Sequence, residues 1–176
     1  MKRFLPTAAL VLVLDQASKW LAHRDLAPRG SLHLLGDLVR LHYARNAGAA
    51  FSLFQGSWAL FVGISIVSIA VIFYLVLSRR YVFPGSSVAF GLVLGGALGN
   101  LIDRLWLRQV IDFIDIGLGA HRWPTFNVAD IGVTLGVLYL AIGFLWLDRK
   151  VHPASPAAVG DGHGAAEKEN AEPDHV

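Results

Sequence analysis

At 176 residues, 55% of them hydrophobic and 16% charged, with a mean hydropathy of +0.53, the chain is too apolar for an ordinary soluble domain and reads as a polytopic membrane protein. It has no cysteine, which excludes disulfide staples, thiolate nucleophiles and Cys-ligated metals. The formal net charge is only +2, and no basic stripe interleaves with aromatics, so nucleic acid is not an expected partner.

Four apolar stretches are long enough to span a bilayer core of about 30 Å, which takes about 20 helical residues. Phe4 to Ala22 is the first and is interrupted by Asp15, Gln16 and Lys19. It follows the basic pair Lys2-Arg3 but lacks a small-x-small cleavage site, so it reads as a span rather than a removed signal peptide. Trp58 to Leu77 carries no charge, Tyr81 to Ile102 is the third stretch, and Val128 to Leu147 is charged only at Asp130. Between the first two, Val39, Leu41 and Tyr43 alternate with Arg40 and His42, the period of a short half-buried strand, and Gly36-Asp37 supplies a turn before it. The expected fold is therefore an all-α membrane protein of four transmembrane helices, with a small β element in the first outer loop.

Residues 1–151 form the membrane domain. Residues 152–176 are rich in Ala, Pro, Gly and charge, without periodicity, and are expected to be a disordered tail. Basic pairs stand directly at helix ends: Lys2-Arg3 before the first span, Arg79-Arg80 between the second and third, and Arg149-Lys150 after the fourth. The positive-inside bias then places both termini in the cytoplasm, with the loops after spans one and three outside.

This topology carries the unusual polar residues to one depth. Asp15 and Lys19 fall in the outer half of span one, Asn100, Asp103 and Arg104 at the outer end of span three, and Asn127 and Asp130 at the outer start of span four. Asp112 lies in the connection at that level. A carboxylate near hydrocarbon is costly unless paired, protonated or facing a wet cavity. Two close together can divide one proton and supply a base and an acid. Asp112 and Asp130 are the candidates.

Asp15 and Lys19 share a helix face at i, i+4 and would also read as a self-neutralised pair. Asn127 would also serve as the N-cap of span four. Asn46 and Gly48 in Asn46-Ala47-Gly48 are equally consistent with a tight turn. Asp103 is expected to pair with Arg104 or Arg108. Asp115, one helical turn after Asp112, reads as an interfacial acid. The seven histidines show no metal-ligand spacing. A proton-coupled transporter would spread its acids through the bilayer depth or carry internal repeats, and neither is evident here.

Five motifs occur in order: Asp15-Gln16-Ala17-Ser18-Lys19, Arg45-Asn46-Ala47-Gly48-Ala49-Ala50-Phe51, Gly95-Gly96-Ala97-Leu98-Gly99-Asn100-Leu101-Ile102-Asp103-Arg104, Val110-Ile111-Asp112-Phe113 and Phe126-Asn127-Val128-Ala129-Asp130. Together they resemble the lipoprotein signal peptidase (signal peptidase II) family over roughly residues 4–148. The resemblance implies a bacterial inner-membrane aspartyl protease that needs no cofactor. Such an enzyme removes signal peptides from prolipoproteins, cutting before a diacylglyceryl-modified cysteine. It implies Asp112 and Asp130 as the catalytic pair, with Asp15, Lys19, Asn46, Gly48, Asn100, Arg104 and Asn127 lining the site. It also implies inhibition by the cyclic peptide globomycin, and membrane lipid as a further partner.

Overall fold

The computed structural model describes residues 2–48, 57–79 and 83–151. The expected tail, the segment Ala49-Ala50-Phe51 and the start of the third apolar stretch lie outside the described residues. Four helices are present: α1 (Phe4–Leu21), α2 (Trp58–Ser78), α3 (Ser86–Leu107) and α4 (Val128–Val151). A widened π-helical turn, Ala22–Leu26, continues α1. Four strands, β1 (Ser31–Leu35), β2 (Val39–Asn46), β3 (Val110–Leu118) and β4 (His121–Arg122), pair antiparallel in that order.

Three of the helices, α2, α3 and the Val128–Leu145 part of α4, are long and apolar enough to cross a membrane. Helix α1 is not among them, because Asp15, Gln16, Ser18 and Lys19 crowd polar groups into its second half. The third helix runs from Ser86 to Leu107 rather than from Tyr81 to Ile102. Pro84 and a left-handed Gly85 (φ 81°) make the turn that starts it, and Ser86 Oγ accepts the Phe83 N–H at 3.3 Å. At its other end nothing breaks the helix until Arg108, which is itself left-handed (φ 56°).

The bundle is apolar outside and small or polar inside. Leu5, Leu10, Val13 and Leu14 of α1 are exposed, as are Ile64, Ile66, Val67 and Val71 of α2. Helix α3 is the centre, packing against each of the other three. It can do so because its interior face is small. A Cβ on Gly91 would stand 2.6 Å from the Phe4 carbonyl oxygen, and one on Gly95 would stand 2.5 Å from that of Ala8. On the other side, a Cβ on Gly96 would collide with the Ala129 carbonyl of α4. Lipid tails give helices no hydrophobic reason to associate, so close backbone approach through small residues is what holds such a bundle.

The sheet contains the β element expected in the first loop and extends beyond it. Strands β1 and β2 come from the connection after α1, but β3 and β4 come from the connection after α3. The register pairs Leu41 with Ile114, Ala44 with Asp112 and Asn46 with Val110, with an irregularity between Leu41 and Ala44. Asp115 fastens the far end, accepting from Arg40 Nη2 at 2.7 Å and from Arg122 Nε at 2.6 Å. Burial alone would raise the Asp115 pKa, but hydrogen bonds from Arg122 and Arg40 outweigh it and hold the carboxyl below its ordinary value.

Gly96→Ala should lower the thermal stability of the purified protein by about 1–3 kcal/mol, because the added carbon meets backbone rather than a movable side chain. Gly63→Ala on α2, where nothing lies within 4 Å, should not lower it and should raise it by up to about 1 kcal/mol, since alanine is the better helix former. Equal unfolding temperatures for the two variants would contradict this packing.

Candidate functional site

Helix starts, helix ends and strands bring the polar residues together at one end of the bundle. Asp130 stands in the first turn of α4, and Asn127 immediately precedes that helix. Their bonds are reciprocal: the Asp130 N–H donates to Asn127 Oδ1 at 3.0 Å, and the Asn127 N–H donates to Asp130 Oδ2 at 3.1 Å. This satisfies helix-terminal amides that would otherwise be orphans. Asn127 thus caps the helix and also lies beneath the cavity wall, not on it, its Nδ2 donating to Asp112 Oδ1 at 2.7 Å and to the Ile111 carbonyl at 3.3 Å. The side chain is fully buried, at 0% exposure.

Asp112 enters from β3. Its other oxygen, Oδ2, accepts from Asn46 Nδ2 at 3.0 Å, and Asn46 Oδ1 accepts the Gly48 N–H at 3.0 Å. The turn at Gly48 therefore orients the Asn46 amide so that its donor end faces the carboxyl. Asn100 of α3 completes the ring, donating from Nδ2 to Asp130 Oδ1 at 2.8 Å. The two acids are thereby linked through Asn127 and Asn100 without any intervening charge.

Beneath this ring is a second cluster. Lys19 Nζ lies 2.8 Å from Asp15 Oδ2 and 3.0 Å from Asp103 Oδ2, and donates to Asn100 Oδ1 at 2.9 Å. Asp15 Oδ1 accepts the Ala129 N–H of α4 at 2.9 Å. Asp103 Oδ2 also accepts the Ile111 N–H at 3.1 Å, and Gln16 Nε2 donates to Asp103 Oδ1 at 3.1 Å. Lys19 is 2% exposed and Asp15 0%. These two lie under the site, not on its wall.

A cavity of about 450 Å3 opens onto the ring. Its wall includes Asn46, Gly48, Asn100, Arg104, Asp112 and Asp130, with Trp123, Pro124, Thr125, Phe126, Ile131, Thr134 and Leu135. An adjoining groove of about 330 Å3 shares Asn100, Arg104 and Asp130, and runs between Phe61, Ile64 and Ser65 of α2, Val93 and Ala97 of α3, and Val133 and Val137 of α4. Arg104 donates to the Asn100 carbonyl at 3.3 Å, and its guanidinium lies 5.3 Å from the centre of the Phe61 ring.

Two expectations need correction. Asp103 is paired with Lys19, not with Arg104 or Arg108. Adjacent residues on a helix point in different directions, so Asp103 faces α1 while Arg104 faces the cavity. Asp115 does not share a helical face with Asp112, because the segment is a strand. Residues three apart on a strand point to opposite sides, so Asp112 meets the ring while Asp115 meets Arg40 and Arg122. The roles of Gln16, of Phe61 under Arg104 and of Trp58, whose ring centre lies 5.3 Å from the Arg108 guanidinium, are not predicted from the sequence. Gln16 was visible in its motif, whereas Phe61 and Trp58 carry no sequence signal for a partner on α3.

Burial, first of all, pushes the Asp112 carboxyl from 3.8 up to about 6; the Asn46 and Asn127 bonds oppose this, and the nearby Asp130 charge adds to it. The folded chain thus holds the Asp112 proton more tightly than the unfolded one. Its contribution to stability is full below the unfolded value of 3.8 and is lost as pH rises through about 6.

The fold and site define a helical membrane protein with an acid pair set at a cavity at one end of its bundle. The sequence model of the family described as signal peptidase (SPase) II matches residues 7–146. A lipoprotein signal peptidase of Syntrophus aciditrophicus (strain SB) is 38% identical over 152 residues, covering 81% of this chain and 91% of that protein. One from Chlorobium phaeobacteroides (strain BS1) is 40% identical over 159 residues, covering 85% and 98%. A solved bacterial membrane enzyme at 2.3 Å resolution superposes with a TM-score of 0.74 at 27% identity, covering 91% of this chain and 96% of that one. The chain belongs to the signal peptidase II family and is by that membership a peptidase.

Infrared spectra should show a protonated carboxyl band that bleaches with a midpoint near pH 6 and is missing from Asp112→Asn. The wild type should lose thermal stability relative to that variant as pH rises through the same window. An Asp112 band already bleached at about pH 4 would contradict the shift.

Proposed function

We propose that the protein is an intramembrane aspartyl endopeptidase that removes signal peptides from diacylglyceryl-modified prolipoproteins, cutting before the lipidated cysteine. The observation that carries this reading is the pair Asp112 and Asp130, joined through Asn127 and Asn100 on the wall of one cavity. Two carboxyls so close cannot comfortably both ionise, so one keeps its proton at working pH. The ionised partner takes a proton from a water held between them, and the resulting hydroxide attacks the scissile carbonyl carbon. The protonated partner donates to the carbonyl oxygen as charge develops there. When the C–N bond breaks, a proton passes from the pair to the leaving amine, and the pair again holds one proton. No cofactor is required for this sequence.

The surroundings suit this substrate. Asn46 and Asn100 offer neutral donors and acceptors for an unwound backbone, while the groove between α2, α3 and α4 offers apolar walls. Acyl chains favour such walls over water by about 0.8 kcal/mol per methylene. The same groove is where globomycin would compete. Asp15 and Lys19, sealed beneath the ring, would support the site rather than touch substrate.

Placed in the inner membrane, α1 would be a fourth span, since its exposed face is apolar apart from the polar groups turned into the bundle. Exposed Trp20, Trp106 and Trp123, with Arg24 over Trp20 at 4.7 Å, gather near the site end, as interfacial aromatics do. The acid pair would then stand at the outer face, both termini in the cytoplasm, with residues 152–176 as a tail outside the membrane domain of residues 1–151.

In a gel-shift assay with purified diacylglyceryl-modified prolipoprotein, the wild type should cleave and globomycin should block it. Asp112→Asn and Asp130→Asn should each lose about a hundredfold or more in rate while remaining folded in membranes. Near-wild-type cleavage by either would end the acid-pair assignment. Arg104→Lys should fall about tenfold, equivalent to ~1.4 kcal/mol, because a compact ammonium cannot both lie on Phe61 and reach the Asn100 carbonyl. Unchanged turnover in that variant would remove Arg104 from the site.

A further inference from the structure

A further cavity, of about 420 Å3, opens beside the end of α1 and takes no part in the proposed hydrolysis. It shares no lining residue with the cavity of the acid pair. Leu21, Leu26, Leu32, Leu41 and Phe113 give it apolar walls, and Asp25 and Arg29 give it charge. Neighbouring residues on a strand point to opposite faces, so β3 turns Phe113 into this cavity and Asp112 into the other.

The charge here is unbalanced. Arg24 holds both oxygens of Asp25, Nε donating to Oδ1 at 2.9 Å and Nη2 to Oδ2 at 2.7 Å. Arg29 is near enough for its charge to act on Asp25, yet its guanidinium has no hydrogen bond or ion pair among the described residues. Two cations and one anion leave one positive charge over apolar walls. Those walls continue along the helix. Leu10, Leu14 and Leu21 are exposed and share one face of α1, since they stand four and seven residues apart. Lipid tails are as apolar as leucine, so in a bilayer this stripe lies against them. Exposed Trp20, with the Arg24 guanidinium 4.7 Å from its ring centre, marks the headgroup level where the stripe ends.

We propose that this cavity seats one anionic phospholipid of the surrounding bilayer, its phosphate held by Arg29 and an acyl chain running down Leu21, Leu14 and Leu10. A guanidinium carries its donors in a planar fork that matches phosphate oxygens two at a time. The diacylglyceryl group of the proposed substrate has no phosphate and offers Arg29 nothing. A zwitterionic lipid brings a second cation to a place that already holds a spare one. Phe113, Ala22 and Leu26 form one buried cluster, so the seated lipid braces the strand that carries Asp112.

The test is native mass spectrometry of the delipidated full chain in uncharged micelles, titrated with phosphatidylglycerol, phosphatidylcholine and diacylglycerol. The wild type should take up one phosphatidylglycerol saturably and more tightly than the other two, and its unfolding temperature should rise with that occupancy. Arg29→Gln should weaken the binding about fivefold, the worth of one basic residue at an anionic lipid surface. Leu32→Gln should weaken it too, which attraction between charges does not predict. Both positions are exposed, so neither substitution opens the core. Arg108→Gln, outside the cavity at the same end of the bundle, should leave the affinity unchanged. Wild-type affinity in Arg29→Gln or in Leu32→Gln overturns the proposal, and so does an equal loss in Arg108→Gln, which would make net charge the cause. Diacylglycerol bound as tightly as phosphatidylglycerol would remove the phosphate contact. Displacement of the lipid by glycerol 3-phosphate would make this a site for free phosphate and not for lipid. None of these readouts involves cleavage, so they stand apart from the success or failure of the proposed peptidase.

Discussion

An ammonium buried at the heart of a helix bundle is the interaction on which the rest of this structure depends. Lys19 touches Asp15, Asp103 and Asn100 at once. Without a cation there, two carboxylates in a region of low dielectric would have neither water nor a partner, and would be intolerable as ions. With it, each carboxylate has a second oxygen or lone pair to spend elsewhere. Asp15 spends it on the first turn of α4, and Asp103 spends it on the N–H of Ile111, the residue before Asp112. The charge cluster is thereby a joint between α1, α3, α4 and β3. Its energetic value lies less in attraction than in the number of elements it obliges to meet at one point.

The sheet performs the corresponding task for the connections. Strand β2 arrives from one inter-helix segment and β3 from the other, and their register sets Ala44 opposite Asp112. Asn46, two residues on, is then within reach of the Asp112 carboxyl. At the far end Asp115, held by Arg40 and Arg122, prevents a slip. A shift of one residue would turn Asp112 away from the ring and Asp115 toward it, because strand side chains alternate in direction.

Much of this was legible in the sequence, and the illegible parts have physical reasons. The helices announce themselves by apolar length, and the polar residues by being misplaced in it. Asn127 could be read as a cap or as a site residue because an amide has two ends, and the structure uses both. Asp103 beside Arg104 looked like a pair, since adjacency in sequence is easily mistaken for adjacency in space on a helix. The true partner, Lys19, is 84 residues away. Strand β3 was hidden because Val110-Ile111-Asp112-Phe113-Ile114-Asp115-Ile116 lacks strict alternation and sets its two aspartates a helical turn apart. Over residues 110–113 both of its faces are buried, so the usual pattern of one wet face is erased there. Strand β1 was hidden for the opposite reason, being exposed along its whole length.

Packing and chemistry are not separable in this fold. The glycines of α3 that admit the backbones of α1 and α4 continue to Gly99, where the space a side chain would fill is taken by the Asp15 carboxylate. The seam that joins the helices therefore ends in the charge cluster, and the cluster in turn carries the ring of amides. One acid of the pair rides on α4 and the other on β3, elements that could in principle move independently. They are tethered at Ile111, whose N–H is held by Asp103 of α3 and whose carbonyl is held by Asn127 at the start of α4. Because that tether lies one residue from Asp112, the bundle and the sheet register together fix where the two acids stand.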